Sequence, residues 1–130
     1  SMLATTEYYE KLFPVSKAQQ YITVRQLKLD NAVKDIRLDP EILIKLDVQG
    51  YEDRVINGGK ETFNEAAACI LEISLDELYK GQAGFRDLFE QLSDIGFYFA
   101  GNLDQIYASD GHVIYFDALF VKHDRRIGGD

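Results

Sequence analysis

The stretch ILIKLDVQGYED, Ile42–Asp53, is a run of aliphatic residues around one lysine that stops at Asp47, with Gly50, Glu52 and Asp53 close behind. A nearly continuous aliphatic run is what a strand buried on both faces of a parallel sheet requires. Ile42–Val48 is therefore read as such a strand, with a carboxylate at its exit. The pattern returns in ACILEIS, Ala68–Ser74, where Glu72 lies near the end of the run. Between the two, Tyr51, Val55, Ile56 and Phe63 recur at roughly helical spacing. Asn57-Gly58-Gly59 marks the end of one short helix and the start of another.

Working outward, YITVRQLKL, Tyr21–Leu29, alternates apolar and polar residues and is rich in β-branched side chains, which predicts a strand with one partly wet face. DNAVKDI follows as a short helix capped by Asp30, and RLDPE as a loop. Tyr8, Tyr9, Leu12 and Phe13 fit one amphipathic turn before Pro14. Downstream, Phe85, Leu88, Phe89, Leu92 and Ile95 fall on one face of a helix that Gly96 terminates. FYFAGNL, QIYAS and HVIYFDALFVK then read as strands joined by tight turns, with Asp110-Gly111 the strongest hairpin signal. Strand–helix–strand–helix order with an antiparallel end predicts an α/β sheet with right-handed crossovers.

The 130 residues make one domain, and 46% apolar with 28% charged content is that of a globular protein. A net charge of −8, with KHDRR the only basic cluster, argues against a nucleic-acid partner, because phosphate binding needs basic clusters. Cys69 is the only cysteine and reads as a small buried hydrophobe. The expectation is a soluble, cytoplasmic protein with no disulfide, no signal peptide and no membrane span. Ser1-Met2 reads as an expression remnant. The division expected is an N-terminal extension over 1–20, an α/β domain over 21–123 and a tail over 124–130.

In open α/β sheets ligands bind beyond the carboxyl ends of the strands. If the two aliphatic strands are parallel neighbours, Asp47 and Glu72 share one rim. Gly50 would let a ligand approach the backbone. Glu52 and Asp53 fall in the first turn of the following helix, where acids also simply favour the helix dipole. Asp47 could equally cap that helix. Glu72 lies in an apolar strand, where an unpaired charge is costly, so it must be paired or lie at the exit. Asp117 raises the same cost and reads as structurally paired; Lys45 is a counter-ion candidate. His112 and His123 have no clustered partners, and no glycine pair has G-x-G spacing. A divalent cation on Asp47, Glu52 and Glu72 is a weaker possibility.

ILIKLDVQGYEDRVINGG followed by ACILEIS resembles the core signature of FkbM-type methyltransferases: an aliphatic strand, Lys-hydrophobic-Asp-Val-Glu/Gln-Gly-x-Glu, a helix ending near glycine, and a strand carrying Glu. VRQLKLDNAV and the closing antiparallel strands are similar to the family as well, so the resemblance covers Val24 to Lys122. It implies part of a Rossmann-like class I methyltransferase fold, with a mostly parallel sheet and an antiparallel C-terminal hairpin. It also implies S-adenosylmethionine as cofactor and methyl transfer to a hydroxyl of a small molecule or glycan. By that resemblance Asp47, Glu52 and Glu72 are catalytic, and Asp47 and Gly50 also meet the cofactor. The family's glycine-rich cofactor loop is absent from this chain. The expectation is thus the C-terminal portion of the enzyme, inactive alone, dimerising through an exposed sheet edge. A non-catalytic α/β interaction module is the alternative.

Overall fold

The computed structural model describes residues 1–14 and 20–123. The expected tail, 124–130, with Arg125 and Arg126 of the basic cluster, lies outside them. The elements are α1 (Glu7–Leu12), α2 (Leu29–Val33), β1 (Leu43–Leu46), α3 (Glu52–Asn57), α4 (Lys60–Glu65), β2 (Ala68–Ser74), α5 (Phe85–Asp94), β3 (Phe97–Tyr107) and β4 (Val113–Lys122). They form a four-stranded sheet of order β1-β2-β4-β3. Strand alternation sends Cys69, Leu71 and Ile73 of β2, and Phe116, Ala118 and Phe120 of β4, to one face. There they join Ile56 of α3, Phe63 of α4, and Leu88 and Leu92 of α5 in the main core. Removing the buried side chain of Leu88 or Leu92 would cost about 2–5 kcal/mol.

The sheet is not mostly parallel. Only β1 and β2 run parallel; β2–β4 and β4–β3 are antiparallel. Nor is β1 buried on both faces: it is an edge strand, with Leu43 58% exposed, Lys45 exposed, and only Ile44 and Leu46 turned to the core. An aliphatic run reports that a strand packs but not how many of its faces do. The strand expected over Tyr21–Leu29 is absent, since residues 20–28 have no strand assignment and Tyr21 is 89% exposed. The alternation is present in the sequence, but the segment finds no ladder partner among the described residues. The two short strands expected in FYFAGNL and QIYAS are one strand, β3. Register shifts at Phe99/Gly101 and Asn102/Asp104 bend it without ending it.

Asp30 caps a helix, but not its own. The N-cap of α2 is Lys28, and Asp30 lies inside that helix. Gly59, the N-cap of α4, has no side chain, and a Cβ there would stand 2.7 Å from Cδ2 of Leu29. The glycine lets α2 dock, and the residue after Leu29 supplies the missing cap. Asp30 accepts hydrogen bonds from the Thr62 amide at 2.9 Å, the Thr62 hydroxyl at 2.6 Å and the Glu61 amide at 3.2 Å. Partial desolvation pushes the Asp30 carboxyl up, but the bonds from Thr62 and Glu61 outweigh it and hold its pKa below the usual value. Stability from this contact is present above the ordinary aspartate pKa and is lost as pH falls through the lowered one. Asp30→Ala should cost about 0.5–2 kcal/mol near neutral pH in urea unfolding. An unchanged midpoint would show that α4 does not depend on this cap.

Candidate functional site

The loop after β1 is built by two left-handed residues, Gln49 at φ 54° and Gly50 at φ 92°. Gly50 is buried, and a Cβ on it would lie 2.8 Å from Cβ of Gln82 and 3.1 Å from Leu3. It therefore packs against protein rather than lying open to a ligand. Its carbonyl accepts from the Ala83 amide at 3.0 Å, joining the loop after β1 to the loop after β2. Gln82 folds that second loop: its Oε1 accepts from the amides of Leu78 and Tyr79, and its Nε2 donates to the Asp76 carbonyl. Glu52 is 2% exposed and lies beneath the first loop. Burial raises its pKa, opposed by hydrogen bonds from its own amide and those of Val48 and Gly50. It thus holds the turn on which Asp47 stands, while its Oε1 is buried without a hydrogen-bond partner. Asp53, also in the first turn of α3, likewise has a buried carboxylate oxygen, Oδ1, with no partner.

Asp47 and Glu72 do meet. They line one cleft of about 180 Å³ with Lys45, Asp104, Ile106, Tyr115 and Asp117. The register explains the gathering. Glu72 is directly opposite Asp117 on β4, and Asp117 is directly opposite Asp104 on β3. Asp47 follows Leu46, the partner of Leu71, and so extends the row to β1. Burial first, then the charges of Asp47, Glu52 and Asp117, push the Glu72 carboxyl up to about 7. Lys45 faces the cleft but forms no salt bridge with its acids, so the counter-ion role expected of it is unfilled. A larger groove of about 650 Å³, between α2 and α4, holds Asp30, Asp39, Glu61 and Glu65. It contains none of the candidate site residues Asp47, Gly50, Glu52 and Glu72, and Asp30 there is committed to its cap. Among the described residues no group of three His, Cys, Asp or Glu side chains is placed to hold a metal ion, so the divalent-cation reading has no geometry behind it. Cys69 is fully buried, and burial pushes its thiol up to about 12, as expected of an inert thiol.

Sequence reading missed Asp104 and Tyr115 as cleft residues and read Asp117 as structural. The usable signal was alternation in IYFDALFV: if Phe116 and Ala118 face the core, Tyr115 and Asp117 face the other way. Asp104 was illegible because the bulges of β3 reset its alternation.

The N-terminal residues close one end of the rim. Thr5 bridges to Tyr79, the Thr6 amide donates to the Leu78 carbonyl, and the Tyr9 ring lies 5.2 Å from that of Tyr79. His112 in the β3–β4 turn contacts Asp110 through Nδ1 at 2.5 Å and Asp76 through Nε2 at 2.7 Å. Tyr8 of α1 donates to the same Asp76 oxygen at 2.9 Å. The Asp76 and Asp110 hydrogen bonds raise the His112 pKa above its usual value, with slight desolvation opposing.

The sequence profile of the methyltransferase FkbM domain matches residues 2–99. A curated relative, the 2-O-methyltransferase NoeI of Sinorhizobium fredii (strain NBRC 101917 / NGR234), is 39% identical over 71 residues. Those residues are 55% of this chain and 29% of that protein, so the match spans under a third of the relative's length. No solved structure matches the chain significantly. Among the described residues no helix is long and apolar enough to cross a membrane.

Two outcomes test this geometry. Gly50→Ala, strained at positive φ and pressed against Gln82, should destabilise the fold by about 1–3 kcal/mol. An equal unfolding midpoint would show that the two loops are not locked there. For His112, the raised folded pKa means that its contribution is fully present below the ordinary histidine value of 6.5 and fades as pH rises through the raised one. His112→Gln should therefore lower the melting temperature at about pH 5.5 but leave it unchanged at about pH 9. The opposite pattern would contradict the bridge.

Proposed function

Because the chain belongs to the FkbM methyltransferase family, we propose that it carries the acceptor-facing part of a Rossmann-like, S-adenosylmethionine-dependent methyltransferase. The reaction is transfer of a methyl group to a hydroxyl oxygen of a small molecule or glycan. The observation that carries this reading is the meeting of Asp47 and Glu72 in one cleft at the carboxyl ends of adjacent parallel strands. A relative that is a 2-O-methyltransferase supports oxygen as the acceptor atom.

The cleft suits a cationic donor, since Asp47, Asp104 and Asp117 line it with Glu72 and only Lys45 opposes them. Asp47 is the residue that would lie against the cofactor. When bound, the cofactor supplies an electrophilic methyl group on a sulfonium sulfur. Glu72 accepts the proton of the acceptor hydroxyl, for which a pKa of about 7 is well matched. Glu52 acts indirectly by fixing the loop that carries Asp47. Most of the remaining catalysis is alignment of donor and acceptor.

The test is release of S-adenosylhomocysteine from S-adenosylmethionine with a panel of neutral sugars and polyols, on this chain and on a form extended upstream. The extended form is the one expected to turn over, because this sequence holds no glycine-rich loop of the cofactor-binding kind. Glu72→Gln should lower its kcat by about 10²–10⁴-fold. Since Glu72 works ionised and its pKa is raised to about 7, activity should be present above that pH and fall as pH drops through it. No transfer by the extended protein, or full activity in Glu72→Gln, would overturn the reading.

The outer edge of β1 is unpaired among the described residues, and an open edge is a template for another strand. A second copy of the chain is the proposed occupant. Light scattering should give a dimeric mass at high concentration and a monomeric one for Leu43→Lys; a monomer throughout would count against it.

A further inference from the structure

Glu72 and Asp117 stand directly opposite each other on neighbouring antiparallel strands, both on the face away from the main core. Asp104 is opposite Asp117 in turn, so three acids on three strands form one line across the sheet. Directly opposed like charges destabilise a sheet. Packing does not call for them, since nearby positions on the same face of β2 and β4 are apolar, namely Ile70, Leu119 and Tyr115. The arrangement thus costs stability, and a role in the cleft accounts for it.

We propose that Asp117 is a positioning residue for Glu72, its fixed negative charge making Glu72 a better acceptor for the hydroxyl proton of the substrate. This rests on the reading of Glu72 as the base. As the acceptor O–H bond breaks, its proton bonds to a Glu72 oxygen. The acceptor oxygen's electron pair forms the O–CH₃ bond, and the pair of the broken S–CH₃ bond stays on the sulfur of the sulfonium donor.

The other charges around Glu72 are less constant. Asp47 is exposed on a loop and would itself lie against the donor. Lys45, also exposed, opposes the acids from β1. Glu52 is buried beneath the loop, and burial raises its own pKa. Asp104 is exposed at a register shift of β3. Tyr79 and Tyr115 have raised pKa values, burial first among the causes, and stay neutral. Asp117 is on β4, hydrogen-bonded to a strand on each side, so its charge cannot move away when substrate displaces water. A fixed charge counts for more as the local dielectric falls.

Carboxyl-carbon NMR titrations of wild-type protein, Asp117→Asn and Asp117→Glu test the proposal. In the wild type, Glu72 should titrate near 7. Asp117→Asn should lower the Glu72 midpoint by about half a pH unit or more, and Asp117→Glu should restore it. In the extended, active protein the acid limb of kcat/KM should move by the same amount. A Glu72 midpoint indifferent to Asp117→Asn overturns the proposal. Should that variant fail to fold, a wild-type Glu72 midpoint at the ordinary glutamate value overturns it equally. Methyl transfer with an unmoved acid limb contradicts the role of Asp117 alone. A Glu72 midpoint that follows Asp117 with no transfer at any pH contradicts the base reading beneath it.

Discussion

The register between β2 and β4 is the constraint on which the rest depends. Leu71 pairs with Ala118 and Glu72 with Asp117, so each strand alternates between the core and the cleft. A slip of one residue would turn Glu72 or Asp117 into the space held by Ile73 and Phe116, where an unpaired carboxylate costs several kcal/mol or must be neutralised. The same alternation that buries Cys69, Leu71 and Ile73 therefore also delivers the acids to the opposite face. Core and cleft are two sides of one pairing.

Around that pairing the loops act as one assembly. Gly50 fits beneath Gln82, Glu52 holds the amides of Val48 and Gly50, and Gln82 ties the turn that presents Tyr79 to Tyr9. Asp47 is thus exposed but stands on a turn fixed from below. Half-burial and neighbouring acids leave Glu72 near neutrality in proton affinity, a condition that an isolated strand-end carboxylate would not reach.

Much of this was legible in the residues. Asp47 and Glu72 could be placed on one rim because both end aliphatic runs, and the parallel β1–β2 pair bears that out. The helix ended by Gly96 and the Asp110-Gly111 turn also stand where their residues put them. What failed depended on neighbours that local pattern does not name. Ile42–Val48 looks the same whether one face or both are covered, and Tyr21–Leu29 alternates without a strand to pair with among the described residues. Asp30 carries a capping side chain, but only the docking of Leu29 on Gly59 decides which helix it caps. Asp117 reads from its strand alone as structurally paired, because only the register shows Glu72 and Asp104 on either side.

The chain belongs to the FkbM family and holds an acidic cleft, and the function proposed for it has Glu72, beside Asp47 and Asp117, meeting the acceptor hydroxyl. A crystal structure of the extended protein with S-adenosylhomocysteine and an acceptor sugar tests this most directly. The account predicts an acceptor hydroxyl oxygen about 2.6–3.2 Å from a Glu72 carboxylate oxygen, with Asp47 on the cofactor side. An acceptor bound elsewhere, with Glu72 facing only solvent, would contradict it.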